Sequence, residues 1–212
     1  MALPQVDTPT RILHAAFDRL CEDGYARLNT RAVAAEAGVN HALIHYYFGT
    51  KDKLVIAVLD DANRRLIARQ RSMYGSAGSF AEKWAQARAF YDEDLASGFV
   101  RVQMELWAAS LAKPGLRNEF LPRILEWHRT VEAAVREAFR AYDLDLPISP
   151  EAAASWIVGF WFGMEWEMLL GVEEKHAHHQ EALDAVQRLL ERLDRQAATR
   201  TQQRASASEQ ER

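Results

Sequence analysis

The strongest constraint on the fold is the spacing of apolar residues, which recur every three or four positions along almost the whole chain. This spacing places them on one face of an α-helix. No segment shows the alternation of apolar and polar residues that is typical of a half-buried strand. The ten glycines and six prolines lie mostly between the periodic segments. The sequence therefore predicts an all-α protein of about nine helices.

Composition narrows the class of helical protein. The chain has 212 residues, is 49% hydrophobic and carries a formal net charge of −4. It is long enough for one large or two small domains with a buried core. Its lone cysteine, Cys21, cannot form an internal disulfide, and no apolar run approaches the roughly 20 residues that span a bilayer. We expect a cytoplasmic protein without membrane contact, which does not coat nucleic acid by charge alone.

Two short helices are predicted between Thr30 and Phe48, separated by the tight turn Ala-Gly-Val-Asn at 37–40. In a helix-turn-helix, the second helix can enter the major groove of DNA. Ile44 and Phe48 share the inward edge of that helix, and the helix carries no acidic residue that would repel phosphate. A plain helical hairpin with surface aromatic residues would give the same pattern, so both interpretations stay open on these residues alone.

From Thr10 to Leu54 the sequence resembles the TetR family of bacterial transcriptional regulators. The matching stretches are Thr10–Ala16, Asp23-Gly24-Tyr25, Thr30, Val33–Asn40 and Tyr46–Leu54. The rest of the chain matches the family only in the number and length of its helices. The resemblance implies a helix-turn-helix DNA-binding domain over 1–54 and a helical ligand-binding and dimerisation domain over 55–196. Residues 197–212 lack an apolar face and are predicted to form a disordered tail.

The resemblance also implies which residues contact DNA. In chain order they are Thr30, Arg31, Asn40, His41, Ala42, Leu43, His45, Tyr46, Tyr47 and Lys51. The first two begin the first short helix, where Thr30 is expected to contact phosphate and Arg31 phosphate or a base. His41, Ala42 and Leu43 match positions that face base edges, whereas the last four match positions that contact phosphates. Asn40 can also cap the second helix.

Three of these residues, Ala42, Leu43 and His45, depart from the family pattern. Leu43 can contact only a thymine methyl group, which leaves His41 as the first candidate for base discrimination. Residues 1–54 carry six basic and six acidic side chains, whereas DNA-binding domains are usually basic. We therefore expect a modest salt dependence of DNA binding. A helical ligand- or protein-binding module without DNA binding is the alternative hypothesis.

The last two long helices, about 150–170 and 177–196, match those through which the family dimerises. The first is apolar around much of its circumference, which indicates burial on most sides. One side could face a second subunit and another the domain core, although a central helix of a monomeric bundle would look the same. A two-fold dimer suits a palindromic operator, because its two heads read half-sites one turn of DNA apart. We expect a homodimer.

The resemblance further implies a small-molecule cavity in the second domain. Its candidate lining residues are Phe90, Tyr91, Met104, Glu105, Trp107, Trp127, His128, Phe160, Trp161, Met164 and Glu165. Aromatic faces beside the carboxylate of Glu105 or Glu165 would suit an organic cation, and an aromatic or acyl ligand is equally open. Ordinary core packing would also account for any one of the six tryptophans, all of which follow residue 83.

No motif points to a cofactor, a metal ion or catalysis. The cluster of His176, His178 and His179 suits a solvated turn better than a metal site. The sequence has no glycine-rich phosphate loop, no nucleophile elbow and no H-E-x-x-H motif. A cofactor-free enzyme built on the pocket carboxylates is a third hypothesis, with no positioned nucleophile to support it. The sequence thus predicts a non-enzymatic, ligand-responsive repressor that a small molecule releases from its operator.

Overall fold

The computed structural model describes residues 7–210, in which all regular secondary structure is helical. The helices are α1 (Thr8–Arg27), α2 (Thr30–Glu36), α3 (His41–Phe48), α4 (Lys51–Gly75), α5 (Phe80–Ala96), α6 (Phe99–Ala112), α7 (Pro114–Tyr142), α8 (Pro150–Leu169), α9 (Glu174–Ala177) and α10 (His179–Gln210). The all-α prediction is confirmed. Within this part of the chain no helix is both long enough and apolar enough to cross a bilayer.

Side-chain caps define where several helices begin. Asn40 accepts a hydrogen bond from the amide of Ala42 at 2.8 Å, as predicted for the start of α3. Ser79 and Glu82 form the predicted capping box before α5, since each side chain accepts from the other residue's amide. At α1 the carboxylate of Asp7 is the cap, although Thr8, just before Pro9, also has a side chain of the capping type. The carboxylate accepts from the Thr10 amide and carries the negative charge that a helix N-terminus favours.

Two helices extend beyond their predicted limits. Helix α7 begins at Pro114 and passes through Pro122, although an internal proline usually marks the start of a helix or a kink. Helix α10 continues to Gln210, through most of the segment predicted to be a disordered tail. That segment is rich in alanine, glutamine, arginine and glutamate, which have high intrinsic helix propensity even without an apolar face. Residues 211 and 212 lie outside the described residues.

The helices form two compact units whose limits do not coincide with the predicted boundary at residue 54. The first unit comprises the chain up to Ala68 together with Glu93–Glu126. In its core, α1 packs against α2 and α6, and Leu106 of α6 is buried in the same cluster as Ile12 of α1. Helix α6 therefore belongs to the core of the helix-turn-helix unit.

The second unit comprises Arg69–Asp92 and the chain from Trp127 onward. Its buried apolar side chains include Met73, Ala81, Tyr91, Val131, Ala134, Tyr142, Ala154, Val158, Phe162, Met164 and Leu183. Polar contacts join its helices: the Tyr142 hydroxyl donates to Asp194 at 2.7 Å, and Arg88 of α5 pairs with Asp184 of α10 at 2.7 Å. These contacts fix α5 and α7 against α10.

Candidate nucleic-acid interface and ligand pocket

Local signals position α3 within the first unit. The turn before it contains Gly38, whose φ of +64° lies in the left-handed region that glycine adopts without steric cost. The side chain of Asn40 then caps α3, and Ile44, 1% exposed, anchors it in the core. Phe48 packs at the edge of the same core. The predicted inward edge of α3 is thereby confirmed.

The outward surface of α3 carries most of the predicted DNA contacts. Tyr46 is 78% exposed, and Ala42, His45 and Tyr47 are also exposed. Leu43, which was predicted to face base edges, packs partly against the core because its aliphatic side chain gains more from burial than from water. The outward surface is therefore mainly aromatic and imidazole in character.

Two hydrogen bonds hold the histidines of α3. The Nε2 atom of His41 lies 3.0 Å from the hydroxyl of Thr30 on α2, so the residue predicted to face bases is bonded to one predicted to contact phosphate. The Nδ1 atom of His45 lies 2.9 Å from the carbonyl oxygen of Gly49. The two imidazoles meet edge to face with their centroids 4.8 Å apart. Both rings are thus held in fixed orientations.

Lys51, the predicted phosphate contact at the start of α4, is half-buried. Its Nζ atom lies 4.8 Å from the centre of the Tyr25 ring and donates to the carbonyl oxygen of Ala26 at 3.4 Å. Burial lowers the pKa of the Lys51 ammonium, and the nearby charge of Lys113 lowers it further. These contacts position the ammonium at the junction of α1 and α4.

Tyr25 is the centre of this junction. Its hydroxyl donates to Asp52 Oδ1 at 2.6 Å and accepts from the ammonium of Lys113 at 2.8 Å, which joins α1, α4 and the end of α6. Burial raises the pKa of Tyr25, and the hydrogen bond to Asp52 raises it further. Sequence reasoning matched Tyr25 to the family but gave it no role, because its partners are distant in the chain.

Glu105 occupies a different place from the one that we predicted. It lies in the first unit, where its Oε2 atom accepts from the Tyr25 amide at 2.8 Å and its Oε1 atom from Arg101 at 3.2 Å. The chain breaks its helical path at Gly24, whose φ of +74° and ψ of 166° are accessible essentially to glycine alone. A Cβ atom at Gly24 would collide with the Glu105 carboxylate. The pair fixes how α1 ends against α6.

Most acidic side chains of the neutral head are already engaged. Asp7 caps α1, and Glu22, Asp23 and Glu36 all lie near the guanidinium of Arg19. Asp52 accepts from Tyr25. No acidic residue lies on α3. The charge of Arg19 offsets only part of this acidic cluster, so what favours the approach of a polyanion to α3 is the lack of acidic residues on that helix.

An aromatic cluster fills the second unit. The Trp161 ring meets Trp84 at 5.8 Å and Tyr91 at 5.2 Å between centroids, and Trp127 meets Phe162 at 5.0 Å. Glu165 is 5% exposed beside this cluster. Burial raises the pKa of Tyr91, and the charge of Glu165 raises it further, so the carboxylate lies close to the phenol. The structure brings together a buried acid and several aromatic rings.

Other members of the predicted pocket set lie elsewhere. Met104, Glu105 and Trp107 belong to the first unit. Phe160 lies on an exposed side of α8, with its ring 6.3 Å from that of His179. Phe90 stacks beneath the guanidinium of Arg69 at 4.2 Å, and His128 is half-buried beside Trp127. Helical spacing alone could not show which of these residues line a pocket, because an apolar side chain can lie in a core or on an exposed helix face.

The histidine-rich segment is engaged with carboxylates. His179 Nε2 lies 2.8 Å from Glu167, and His178 lies 3.4 Å from Glu181. Over residues 7–210, no three histidine, cysteine or acidic side chains converge as a metal site would require. Between α8 and α10 the chain makes a tight turn, which consists of the short helix α9 and of His178, a residue with positive φ.

The fold and the site define a class of protein: a helix-turn-helix head joined to an all-helical second unit. Residues 12–58 match the family model described as "Bacterial regulatory proteins, tetR family". The HTH-type transcriptional repressor Rv3405c of Mycobacterium tuberculosis is 49% identical over 55 residues, which make up 26% of this chain and 29% of that protein. Over residues 12–58, the head of this chain is therefore similar to the helix-turn-helix part of tetR-family regulators.

Solved structures extend the likeness of fold beyond the head. The regulator FadR from Bacillus subtilis, in complex with stearoyl-CoA, has a TM-score of 0.69 at 20% identity, over 85% of this chain and 96% of that chain. A choline complex of a Saccharomonospora viridis protein has a TM-score of 0.68 at 18% identity, over 84% and 93%. In sequence, the match spans less than a third of the length of the Mycobacterium tuberculosis repressor.

Proposed function

We propose that the protein is a ligand-responsive transcriptional repressor, which binds a palindromic operator as a homodimer and is released by a small molecule. The observation that carries this proposal is the surface of α3. Its exposed tyrosines and histidine, free of acidic residues, stand on a helix anchored by Ile44 in a head that matches the family. Such a helix can enter a major groove while Lys51 contacts the backbone. The protein would act in the cytoplasm, where bacterial DNA is accessible.

The experiment that tests DNA binding is affinity selection of fragmented source genomic DNA on the full chain, followed by sequencing. Recovery of one palindrome would support the proposal, and Tyr46→Ala should abolish the enrichment because it removes a large side chain that is 78% exposed on α3. Leu146→Ala, at an exposed residue of the second unit, is the matched control and should retain it. The proposal fails if the ligand-free protein enriches no sequence, or if Tyr46→Ala selects the same palindrome equally well.

An exposed apolar face on α8 supports a homodimer. Its members are Trp156, Gly159, Phe160, Gly163 and Trp166 on α8 and the capping residue Leu170; the exposed Glu167, which pairs with His179, lies on the same side of the helix. The side chain of Trp156 is 72% exposed. A Cβ atom at Gly159 or Gly163 would meet nothing within 4 Å in this chain, so packing within the chain does not require these helix-weakening glycines. Close approach of a second copy would explain them, and Val186 and Leu189 on α10 offer further exposed apolar surface.

The aromatic cluster of the second unit supports a ligand site. Choline in one structural neighbour and stearoyl-CoA in another supply two classes of ligand to compare. Glu165 is the specific observation that favours a cation, because a buried carboxylate and aromatic faces both stabilise a quaternary ammonium group. Glu105 is left out of this site because its oxygens bond to Tyr25 and Arg101 within the first unit.

Isothermal titration with choline and with stearoyl-CoA separates the two classes. If a cation binds beside Glu165, choline gives a measurable Kd, and Glu165→Gln weakens it by about tenfold or more, as loss of one charge interaction predicts. Glu105→Gln is the matched control and should leave the Kd unchanged. Binding of stearoyl-CoA alone, insensitive to Glu165→Gln, would replace the cation with an acyl ligand.

Release from DNA is then a shift between two dimer states. The ligand must bind more tightly to the state whose two heads do not fit the half-site spacing. A fluorescently labelled operator should dissociate from the protein as the ligand saturates. A ligand that binds equally with and without operator would contradict this coupling.

The balanced charge of the head favours one competing function. With six acidic and six basic residues in 1–54, the chain could serve as a helical ligand- or protein-binding module without DNA binding. Absence of any selected sequence, together with retained ligand binding, would support this alternative.

A further inference from the structure

The hydrogen bond of His45 decides which of its ring nitrogens carries a proton. Its Nδ1 atom lies 2.9 Å from the carbonyl oxygen of Gly49, which can only accept. Nδ1 must therefore carry the hydrogen. A neutral imidazole has one such hydrogen, so the Nε2 atom of neutral His45 is a bare acceptor.

With this assignment, a neutral His45 side chain cannot donate a hydrogen bond to a DNA phosphate. His45 is exposed near the C-terminal end of α3, beside Tyr46 and just before the first turn of α4, which carries Lys51. The first residues of a recognition helix read base edges, whereas residues near its far end lie closer to the backbone. Phosphate oxygens only accept hydrogen bonds. Nε2 can therefore contact a phosphate only after it takes up a proton.

Among the described residues, no carboxylate pairs with His45, so a DNA phosphate would be the group that stabilises the added proton. The ionisable groups nearest to His45 on α3 itself are His41, Tyr46 and Tyr47. The neighbouring helix α2 contributes Arg31 and Glu36. Helix α4 contributes Lys51, Asp52 and Lys53. Glu36 lies 3.8 Å from Arg19, and Asp52 accepts from Tyr25. Within the described residues, no carboxylate oxygen forms an ion pair with either imidazole of α3.

The neighbouring histidine limits the uptake to one proton for each head. The His41 and His45 rings lie 4.8 Å apart, so a charge on one opposes a charge on the other. His41 already uses its Nε2 atom in a hydrogen bond with the Thr30 hydroxyl, which can donate to it or accept from it. His45, whose Nε2 atom has no hydrogen-bond partner among the described residues, is the ring that gains the proton.

We propose that operator binding by this protein is coupled to uptake of one proton at His45 Nε2 in each head, which then donates to a DNA phosphate. The proposal rests on the DNA-binding function proposed above. The protonated form is favoured in the complex, so affinity is greatest at low pH and falls as pH rises through the range in which histidine titrates, about pH 5 to 8. Each coupled proton changes Kd by at most about tenfold per pH unit.

The test is fluorescence anisotropy of the full chain with a labelled operator duplex at pH 6, 7 and 8 and constant ionic strength. We expect wild-type Kd to weaken by about fivefold or more between pH 6 and 8. His45→Lys carries a permanent charge and should bind tightly with a flat profile. His45→Gln should bind weakly with a flat profile, whereas His14→Gln on α1, outside the interface, should keep the wild-type slope.

A second readout measures the proton itself. Calorimetric titrations of the operator in two buffers of different ionisation enthalpy should show net proton uptake for wild type and none for His45→Lys. Tight binding with equal pH slopes in wild type and His45→Lys would overturn this inference and leave the DNA-binding function intact. So would affinity that rises with pH, which would mean that neutral Nε2 accepts from a base amino group. Failure of all forms to bind any selected duplex would overturn both.

Discussion

The two compact units differ in how their surfaces are completed. The helix-turn-helix unit closes its own junctions: Asp7, Asn29 and Asn40 cap its first three helices, and Glu105 and Tyr25 join helices far apart in sequence. The second unit has buried apolar side chains of its own but leaves an apolar face of α8 exposed around Trp156. A head that must present one fixed surface is built from directional hydrogen bonds. The exposed face of α8 is instead built mainly from apolar and small residues.

The largest effect that we predict is at the best-defined junction of the head. Gly24→Ala should lower the free energy of unfolding by about 3 kcal/mol or more, because the residue needs a glycine conformation and its Cβ would meet Glu105. Urea denaturation followed by circular dichroism measures the loss. Gly38→Ala is the control: it also has a positive φ, but no atom within 4 Å, and should cost about 1–2 kcal/mol. Equal losses at the two positions would show that the Glu105 contact adds nothing.

The next effect tests the open face of the second unit. Trp156→Glu should weaken homodimerisation by about 2 kcal/mol or more, roughly 30-fold in Kd, because it replaces a large exposed aromatic side chain of the face with a charge. Leu111→Glu changes a side chain that is 73% exposed, nearly the same as Trp156, but lies on α6 in the first unit. Sedimentation equilibrium should show no change for this control. A monomeric wild type, or equal weakening by both, would remove the distinction between the two units.

A smaller effect is expected from one hydroxyl of the head. Tyr25→Phe should cost about 1.5 kcal/mol of folding stability, because it deletes the hydrogen bonds with Asp52 and Lys113 that join three helices. Urea denaturation measures the cost, and Tyr47→Phe, which removes a hydroxyl from an exposed side chain, should leave stability unchanged. The ring that remains still lies beneath Lys51, so operator affinity in an anisotropy titration should change little. A loss of affinity larger than the loss of stability would mean that the hydroxyl itself positions the DNA contact.

The smallest effect concerns a local cap. Asn40→Ala should cost about 1 kcal/mol, because the first amides of α3 lose their side-chain acceptor, whereas Asn40→Gly should cost only a few tenths. Thermal or urea denaturation of the two variants resolves this difference. Asn40→Asp retains an acceptor and should stay near wild type. If alanine and glycine proved equally costly, side-chain capping would not be what starts α3.

Sequence reasoning succeeded where the partners of an interaction are neighbours in the chain. The cap at Asn40 joins residues two positions apart, and the capping box of Ser79 and Glu82 joins residues three positions apart. Helical periodicity likewise identified Ile44 as the anchor of α3. These features depend on local geometry, which a short stretch of sequence specifies.

Reasoning was weaker where partners lie far apart. Glu105 appeared to suit a ligand pocket because it interrupts an apolar run, yet its acceptor atoms bond to a backbone amide 80 positions away. Phe160 was assigned to the same pocket, although it lies on the exposed side of α8. Periodicity defines faces of a helix, but it does not say which face meets the core, a ligand or a second copy.

The sequence by itself determined that the protein is all helical, where its head lies and which short helix presents aromatic and imidazole side chains. These follow from apolar spacing, caps and a specific motif, all of which act over a few residues. Only the tertiary structure decided that α6 completes the core of the head, that Glu105 fixes the end of α1, and that Glu165 is buried among aromatic rings. Burial and long-range hydrogen bonds depend on which helices pack together, and that choice is made by the whole chain rather than by any single segment.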